Sequence, residues 1–326
     1  MERYNAIVCE TIGSIDNLVL KNIARTRLGK KQVRVQVKAC GVNFPDKLMV
    51  EGKYQFKPSL PFTPGLEIAG KVIETHSSSD FLVGDKVTCQ MRVGGYSEEL
   101  VVPEESLDNF PDQFTYDEAA GFRVAAQTAF VALIERANLK TKQSVMVLGA
   151  AGGVGSAAVQ LAKSLGSTVI AVANTSEKQK FCKSLGADFA LGYENLKVKL
   201  LELTNNQGID IVYDPVGGDI FRESLSCLTW GGKYLIIGFA NGSVPLLPTN
   251  IALIKGVDII GVRAGEYFRR FPHKKRNATE RLFQIADSGG ITPRIHSVLP
   301  LSQAINALKM IERREVMGRI ILKPNK

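Results

Sequence analysis

The sequence predicts an α/β protein in two parts, a β-barrel-like domain and a doubly wound parallel sheet. A glycine-rich turn sits between an apolar run and an amphipathic segment at 145–165. Strand and helix patterns alternate from there to residue 262. By contrast, Tyr4 to about Val102 changes pattern every few residues and holds no long helical stretch.

Taken in order, Gln32–Lys38 (QVRVQVK) alternates strictly between apolar and polar, the mark of a half-buried strand. Gly65–Val72, Asp85–Cys89 and Glu98–Pro103 read as further short strands, with Gly84 and Asp85 as a turn. They predict an antiparallel, barrel-like β domain. Tyr116–Ala137 is alanine-rich and opens on a Thr115–Glu118 capping box, so it is the expected bridging helix. After it, strands are expected at Val145–Leu148, Thr168–Ala173, Phe189–Leu191, Ile209–Tyr213, Lys233–Ile237 and Gly256–Val262. Helices are expected at Ser156–Leu165, Ser176–Leu185, Lys197–Asn205 and Gly218–Leu228. Such alternation means a parallel sheet covered on both faces. Helices over Lys275–Asp287 and Pro300–Glu312 and a strand at Gly318–Leu322 follow, the strand expected to return to the β domain.

A chain of 326 residues has room for about two domains. No apolar run approaches the ~20 residues a membrane span needs. The opening MERYNAIVCE lacks the apolar core of a signal peptide, so a cytoplasmic protein is expected. The cysteines (Cys9, Cys40, Cys89, Cys182, Cys227) are scattered and never spaced CxxC, which suits reduced thiols. The histidines, His76, His273 and His296, lie near no cysteine pair and offer little material for zinc. The net charge is +9, with the densest basic cluster at Arg269–Arg276. Only Phe268 and Phe271 accompany that cluster, so it reads as a solvated surface rather than a nucleic-acid site.

Function is concentrated in Val145–Gly155, VMVLGAAGGVG. Ala150 stands where the first glycine of GxGxxG would be, and Gly152 and Gly155 hold the other two places. Gly152 would let the backbone approach a pyrophosphate, and Gly155 would let the helix pack close to the strand. Free amides at the helix start then meet the phosphate charge, so Ala150, Gly152, Gly153, Val154 and Gly155 are candidate cofactor contacts. The second strand ends Ala173-Asn174-Thr175-Ser176, without the carboxylate that binds a ribose 2′-hydroxyl in NAD-preferring folds. Lys178 follows at once, with Lys180 and Lys183 close behind. With Asn174 and Ser176 they predict NADPH over NADH, since a lysine acts as a point charge on phosphate. Glu177 opposes this, and the same lysines also read as a solvated helix face.

The segments GVNFPDKLMVEGKY (41–54), PGLEIAG (64–70), VGDKV (83–87), GGYSEE (94–99), GAAGGVG (149–155), YDPVGG (213–218) and GGKYLIIGFANG (231–242) run in order over nearly the whole length. On them the chain resembles the zinc-independent quinone oxidoreductases of the medium-chain dehydrogenase/reductase superfamily. The resemblance implies a GroES-like catalytic domain from 1–124 and 265–326 and a Rossmann domain from 125–264. It also implies a cofactor cleft between them and a homodimer joined near Asp258–Val262. It places Lys178 and Tyr193 on the NADPH 2′-phosphate, and Thr128, Val216, Phe239 and Asn241 on further cofactor contacts. Asn43 and Asp46 fall at the nicotinamide end. Tyr54 matches a position that related enoyl-thioester reductases use as proton donor or carbonyl anchor.

Each of the last three has a second reading. Asn43 is also a turn former after Gly41, Asp46 a cap for the helix following Pro45, and Tyr54 a packed loop aromatic. Zinc-dependent members carry cysteine and histidine where this chain has Asn43 and Leu66, so no metal is expected. The expected activity is NADPH-dependent hydride transfer to a small quinone or α,β-unsaturated carbonyl, with no membrane or nucleic-acid partner. Enoyl-thioester reduction and a non-catalytic NADPH-binding sensor or nucleic-acid binder are the alternatives.

Overall fold

The computed structural model describes residues 2–324, which form two compact units. One comprises residues 2–124 with 293–324, the other Ala125–Thr292.

In the first unit, β1 (Arg3–Cys9) and β2 (Leu18–Ala24) make an antiparallel pair. The main sheet is built from β3 (Gln32–Gly41), β4 (Glu67–Thr75), β5 (Lys86–Gln90), β6 (Glu99–Pro103) and β7 (Leu107–Asn109). A short helix, α1 (Phe44–Val50), leaves the end of β3, and α2 (Tyr116–Phe130) follows β7. In β3 the inward residues Val33, Val35 and Val37 are wholly buried, as its alternation demands. They pack with Val72, Val87, Ile68 and Met49 into one core.

The second unit carries six parallel strands: β8 (Ser144–Leu148), β9 (Thr168–Val172), β10 (Phe189–Leu191), β11 (Ile209–Asp214), β12 (Leu228–Ile236) and β13 (Asp258–Gly261). Their spatial order is β10-β9-β8-β11-β12-β13. The order reverses between β8 and β11, the switch point at which open α/β sheets bind ligands. Val145 to Leu148 are wholly buried, as a strand covered on both faces requires. The helices are α3 (Gly153–Ser164), α4 (Ser176–Ser184), α5 (Leu196–Leu203), α6 (Ile220–Ser226), α7 (Thr249–Lys255), α8 (Ala264–Arg270) and α9 (Pro272–Asp287).

The chain then returns to the first unit through β14 (Ile295–Pro300), α10 (Ala304–Glu312) and β15 (Arg319–Lys323). The expected return of the last strand is what the structure shows, since β15 pairs antiparallel with β3. The expectation of an all-antiparallel sheet needs correcting, because β14 runs parallel to β15 across the connecting α10. The expected bridging helix also divides. After Phe130 it widens into a π turn, Val131–Arg136, where Ala137 N donates to Ala132 O at 2.9 Å.

The second boundary of the compact units, at 292/293, differs from the expected 264/265. Helices α8 and α9 stay with the second unit through specific bonds. Tyr267 Oη and Lys274 Nζ donate to Glu135 Oε2 at 2.5 and 2.7 Å, and Gln127 Nε2 donates to Thr279 Oγ1 at 3.2 Å. Among the described residues no helix is long and apolar enough to cross a membrane.

The β8 turn sets a steric test. A Cβ added at Gly155 would stand 2.4 Å from Gly149 O and 2.8 Å from Ala150 Cα, both backbone atoms that cannot swing away. Gly155→Ala is therefore expected to destabilise the fold by about 1–3 kcal/mol, read as a lower midpoint of urea unfolding.

Candidate active site

The second unit gathers most of the expected cofactor residues at the carboxyl ends of its strands. Gly149 takes a left-handed φ of 58° directly after β8, which turns the chain towards α3. Ala150 N donates to Val172 O at 3.1 Å, fixing the turn to the end of β9. Gly152 then caps α3 in extended conformation. The first amides of that helix, from Gly153, Val154 and Gly155, lack intrahelical acceptors by geometry and face the crevice end of the sheet.

The two fingerprint glycines have different reasons to be glycine. At Gly155 an added Cβ collides with the protein's own backbone, whereas at Gly152 it would meet nothing closer than Gly149 O at 3.4 Å, an ordinary contact. Packing inside the chain does not demand a glycine at 152. In dinucleotide-binding turns the glycine at this place lets the backbone approach a pyrophosphate.

At the next strand end, Thr175 caps α4 by accepting from Lys178 N at 3.2 Å. Asn174 and Ser176 are exposed beside it, and Lys178 is half-buried in the first turn of α4. No carboxylate stands in the segment 173–176, so nothing there repels a second phosphate. Tyr193, just past β10, accepts from Gly149 N at 2.9 Å through its hydroxyl. It thereby braces the glycine turn, a role that no local pattern reveals.

On the other side of the switch point, Asp214 is buried and accepts from Val216 N at 2.7 Å, Gly217 N at 2.9 Å and Tyr234 Oη at 2.7 Å. Burial pushes its carboxyl above the usual range against those bonds. The loop it shapes packs on the one after β12. Asn241 N donates to Val216 O at 2.9 Å, and Phe239 lies against Gly217, where an added Cβ would be 2.8 Å from Phe239 Cδ1. Thus Val216, Phe239 and Asn241 share one loop cluster. Thr128 lies elsewhere, half-buried in α2 and outside the loops at the strand ends.

In the first unit, Asn43 and Asp46 belong to a buried polar joint. Asp46 Oδ2 accepts from Asn43 N at 2.8 Å, the carboxylate limb of a capping box on α1. It also accepts from Tyr96 Oη at 3.0 Å, and Oδ1 from Gly65 N at 3.2 Å. The Asn43 amide donates to Gly41 O at 3.2 Å and Glu67 Oε1 at 3.0 Å, and accepts from Arg319 Nη2 at 3.0 Å. An amide has two donor hydrogens, and both are committed, so none is left for a developing oxyanion. The helix-capping reading of Asp46 is the geometry observed. Glu67 and Arg319 complete the joint, paired with each other, and Glu67 Oε2 accepts from Val124 N at 2.9 Å. The sequence reading missed both residues; the Gly65-Leu66-Glu67 motif carried the only signal.

Tyr54 follows the helix that this joint caps. It is half-buried just beyond α1, packs on the barrel core and donates its backbone N to Leu48 O at 3.1 Å. All five cysteines are buried, and burial pushes the Cys227 thiol up to about 11, away from a reactive thiolate. Among the described residues no group of three or more His, Cys, Asp or Glu side chains is placed to hold a metal ion.

Complete burial pushes the Asp46 carboxyl up to about 7, with a smaller rise from Glu67, against the bonds from Asn43 N, Tyr96 Oη and Gly65 N that favour the anion. A carboxyl more basic folded than unfolded binds its proton preferentially in the fold. Its contribution to stability is complete below the unfolded value near 4 and is lost as pH rises through about 7. Thermal unfolding followed from pH 5 to 8 should therefore show a steeper fall in Tm for the parent than for Asp46→Asn.

Two family models match the chain: the alcohol dehydrogenase GroES-like domain over residues 29–112 and the zinc-binding dehydrogenase family over residues 153–283. A quinone oxidoreductase-like protein 2 homolog from Nematostella vectensis is 35% identical over 325 residues, covering 98% of this chain and 88% of that one. A quinone oxidoreductase of Pseudomonas aeruginosa is 32% identical over 302 residues, covering 91% and 92%. Among solved structures, a mycobacterial protein complexed with NADPH superposes with a TM-score of 0.91 at 29% identity, covering 98% of this chain and 100% of the other. The parallel sheet of the second unit with its switch point and these relatives converge: the chain belongs to the quinone oxidoreductase-like family of medium-chain dehydrogenases/reductases, and it is an oxidoreductase.

Proposed function

We propose that the chain is an NADPH-dependent reductase that delivers hydride to a quinone or another α,β-unsaturated carbonyl without help from a metal ion. The observation that carries this is the turn at Gly152, where the fold leaves room that only a close external ligand would need. The neutral end of β9 and Lys178 beside it favour a cofactor with a 2′-phosphate. The mycobacterial neighbour complexed with NADPH supports the same reading. The nicotinamide supplies the hydride, and the protein supplies placement and charge stabilisation.

Asn43 and Leu66 stand where a metal would need a cysteine and a histidine, and neither donates usefully to zinc. With Asn43 and Asp46 committed to the buried joint, Tyr54 is the group we assign to face the substrate, as proton donor or carbonyl anchor. The crevice contacts we assign are Ala150, Gly152, Gly153, Val154, Gly155, Asn174, Ser176, Lys178, Val216, Phe239 and Asn241, with Tyr193 acting through Gly149 and Thr128 as a further contact from α2.

We assign the assembly as a homodimer through the free edge of β13. Exposed apolar side chains in the same unit, Trp230, Leu253 and Ile254, support it, since unpaired strand edges with apolar surroundings invite pairing. Buried thiols outside any disulfide suit a reducing compartment such as the cytoplasm.

NADPH oxidation followed by absorbance against benzoquinone, naphthoquinone, a simple enone and a trans-2-enoyl thioester tests the activity. Turnover of quinone or enone that prefers NADPH to NADH and survives a metal chelator is expected, and preference for the thioester would select the alternative. Two variants test the crevice. Lys178→Ala should weaken NADPH binding about tenfold and leave NADH nearly unchanged, because the loss is that of about one charge-assisted contact. Gly152→Ala should fold with parental stability yet lose affinity for both cofactors in a fluorescence titration.

A further inference from the structure

The reading of Tyr54 as the substrate-facing group leaves open what holds it in place. Helix α1 is only seven residues long, too short to persist without tertiary anchors. Its far end carries Tyr54, whose backbone N and that of Lys53 both donate to Leu48 O, at 3.1 and 2.8 Å. The position of the Tyr54 loop is thus the position of α1.

The C-terminal segment grips α1 twice. At its start, Arg319 of β15 donates through Nη2 to Asn43 Oδ1 at 3.0 Å and pairs with Glu67, fixing which way the Asn43 amide faces. Midway, Lys47 is held between Glu51 at 2.5 Å and Glu312 of α10 at 3.0 Å. The β15 backbone is itself fastened to the chain entering α1, with Val42 N donating to Ile320 O at 3.0 Å and Leu322 registered on Cys40. Arg319 is 5% exposed and Glu67 is wholly buried, so water does not loosen their pair. Sequence distance does not matter to this clamp: Arg319 and Glu67 are separated by 252 residues.

We propose that Arg319 is a positioning residue for hydride transfer, setting Tyr54 against the acceptor through Asn43, Glu67 and α1. The inference rests on the Tyr54 assignment above. Groups of the second unit that bind the cofactor take no part in it, so loss of Arg319 should leave NADPH binding alone. The acceptor's reaction, which depends on placement at the ångström scale, should suffer.

The test is the paired substitution Arg319→Met with Glu67→Gln, which removes both charges at nearly constant volume instead of stranding one in the interior. A cooperative fold and a parental NADPH Kd are expected, with kcat for a quinone lowered about 10- to 100-fold. Tyr54→Phe added to that pair should cost much less than Tyr54→Phe in the parent, because both changes act on one hydroxyl. Arg319→Lys, which keeps the charge but not the fork, should give an intermediate kcat. A folded pair with parental kcat, or a full Tyr54→Phe effect within it, overturns the inference while leaving the Tyr54 assignment standing. Full activity of Tyr54→Phe in the parent overturns both. Should the pair fail to fold, Arg319→Lys decides: an intermediate kcat supports the clamp and a parental one refutes it.

Discussion

One buried carboxylate organises the first unit. Glu67 gives Oε1 to Asn43 and Arg319 and Oε2 to the backbone of Val124, so strands β4 and β15, the start of α1 and helix α2 all meet at it. Gly41 makes room for this: a Cβ there would lie 2.4 Å from Ala120 O and 2.7 Å from Glu67 Oε1. Breaking such a buried pair from one side typically costs about 3–5 kcal/mol, because the remaining charge has no water to turn to. The strand that carries Arg319 returns to the sheet from which α1 departs and supplies the charge that Glu67 would otherwise lack.

The second unit answers to a different constraint, the meeting of strand ends at the switch point. Two glycines three residues apart divide the work there. Gly155 lets α3 touch the turn after β8, while Gly152 leaves space beside helix amides that carry partial positive charge. Tyr193 and Asp214 hold the flanking loops from either side, one bonding Gly149 N and the other the amides of Val216 and Gly217. The crevice is therefore framed by bonds within the unit that leave the turn at Gly152 open.

Periodicity made the parallel sheet readable, and the observed ends of β8, β9, β10 and β11 fall within a residue of those expected. Where the sequence misled, the cause was a local irregularity or a long-range partner. The helix over Tyr116–Ala137 looked continuous because a π turn keeps the same apolar residues buried, Val131, Ala132 and Leu133. Segment 265–292 looked like part of the β domain until Glu135 and Gln127 were seen to hold α8 and α9. Asn43 and Asp46 were visible as polar residues in the right motif, yet their commitment to the joint depends on Arg319 and Tyr96, which no local pattern connects to them. The helix α7 and the β1–β2 pair are short elements with weak periodicity, and the sequence reading had no purchase on them.

The central claim is that the Gly152 turn and the neutral end of β9 together hold NADPH. A crystal structure of the chain grown with saturating NADPH tests it most directly. The account predicts pyrophosphate density against the amides that open α3 and 2′-phosphate density beside Lys178. A cofactor bound elsewhere, or a 2′-phosphate pointing away from α4, would contradict it.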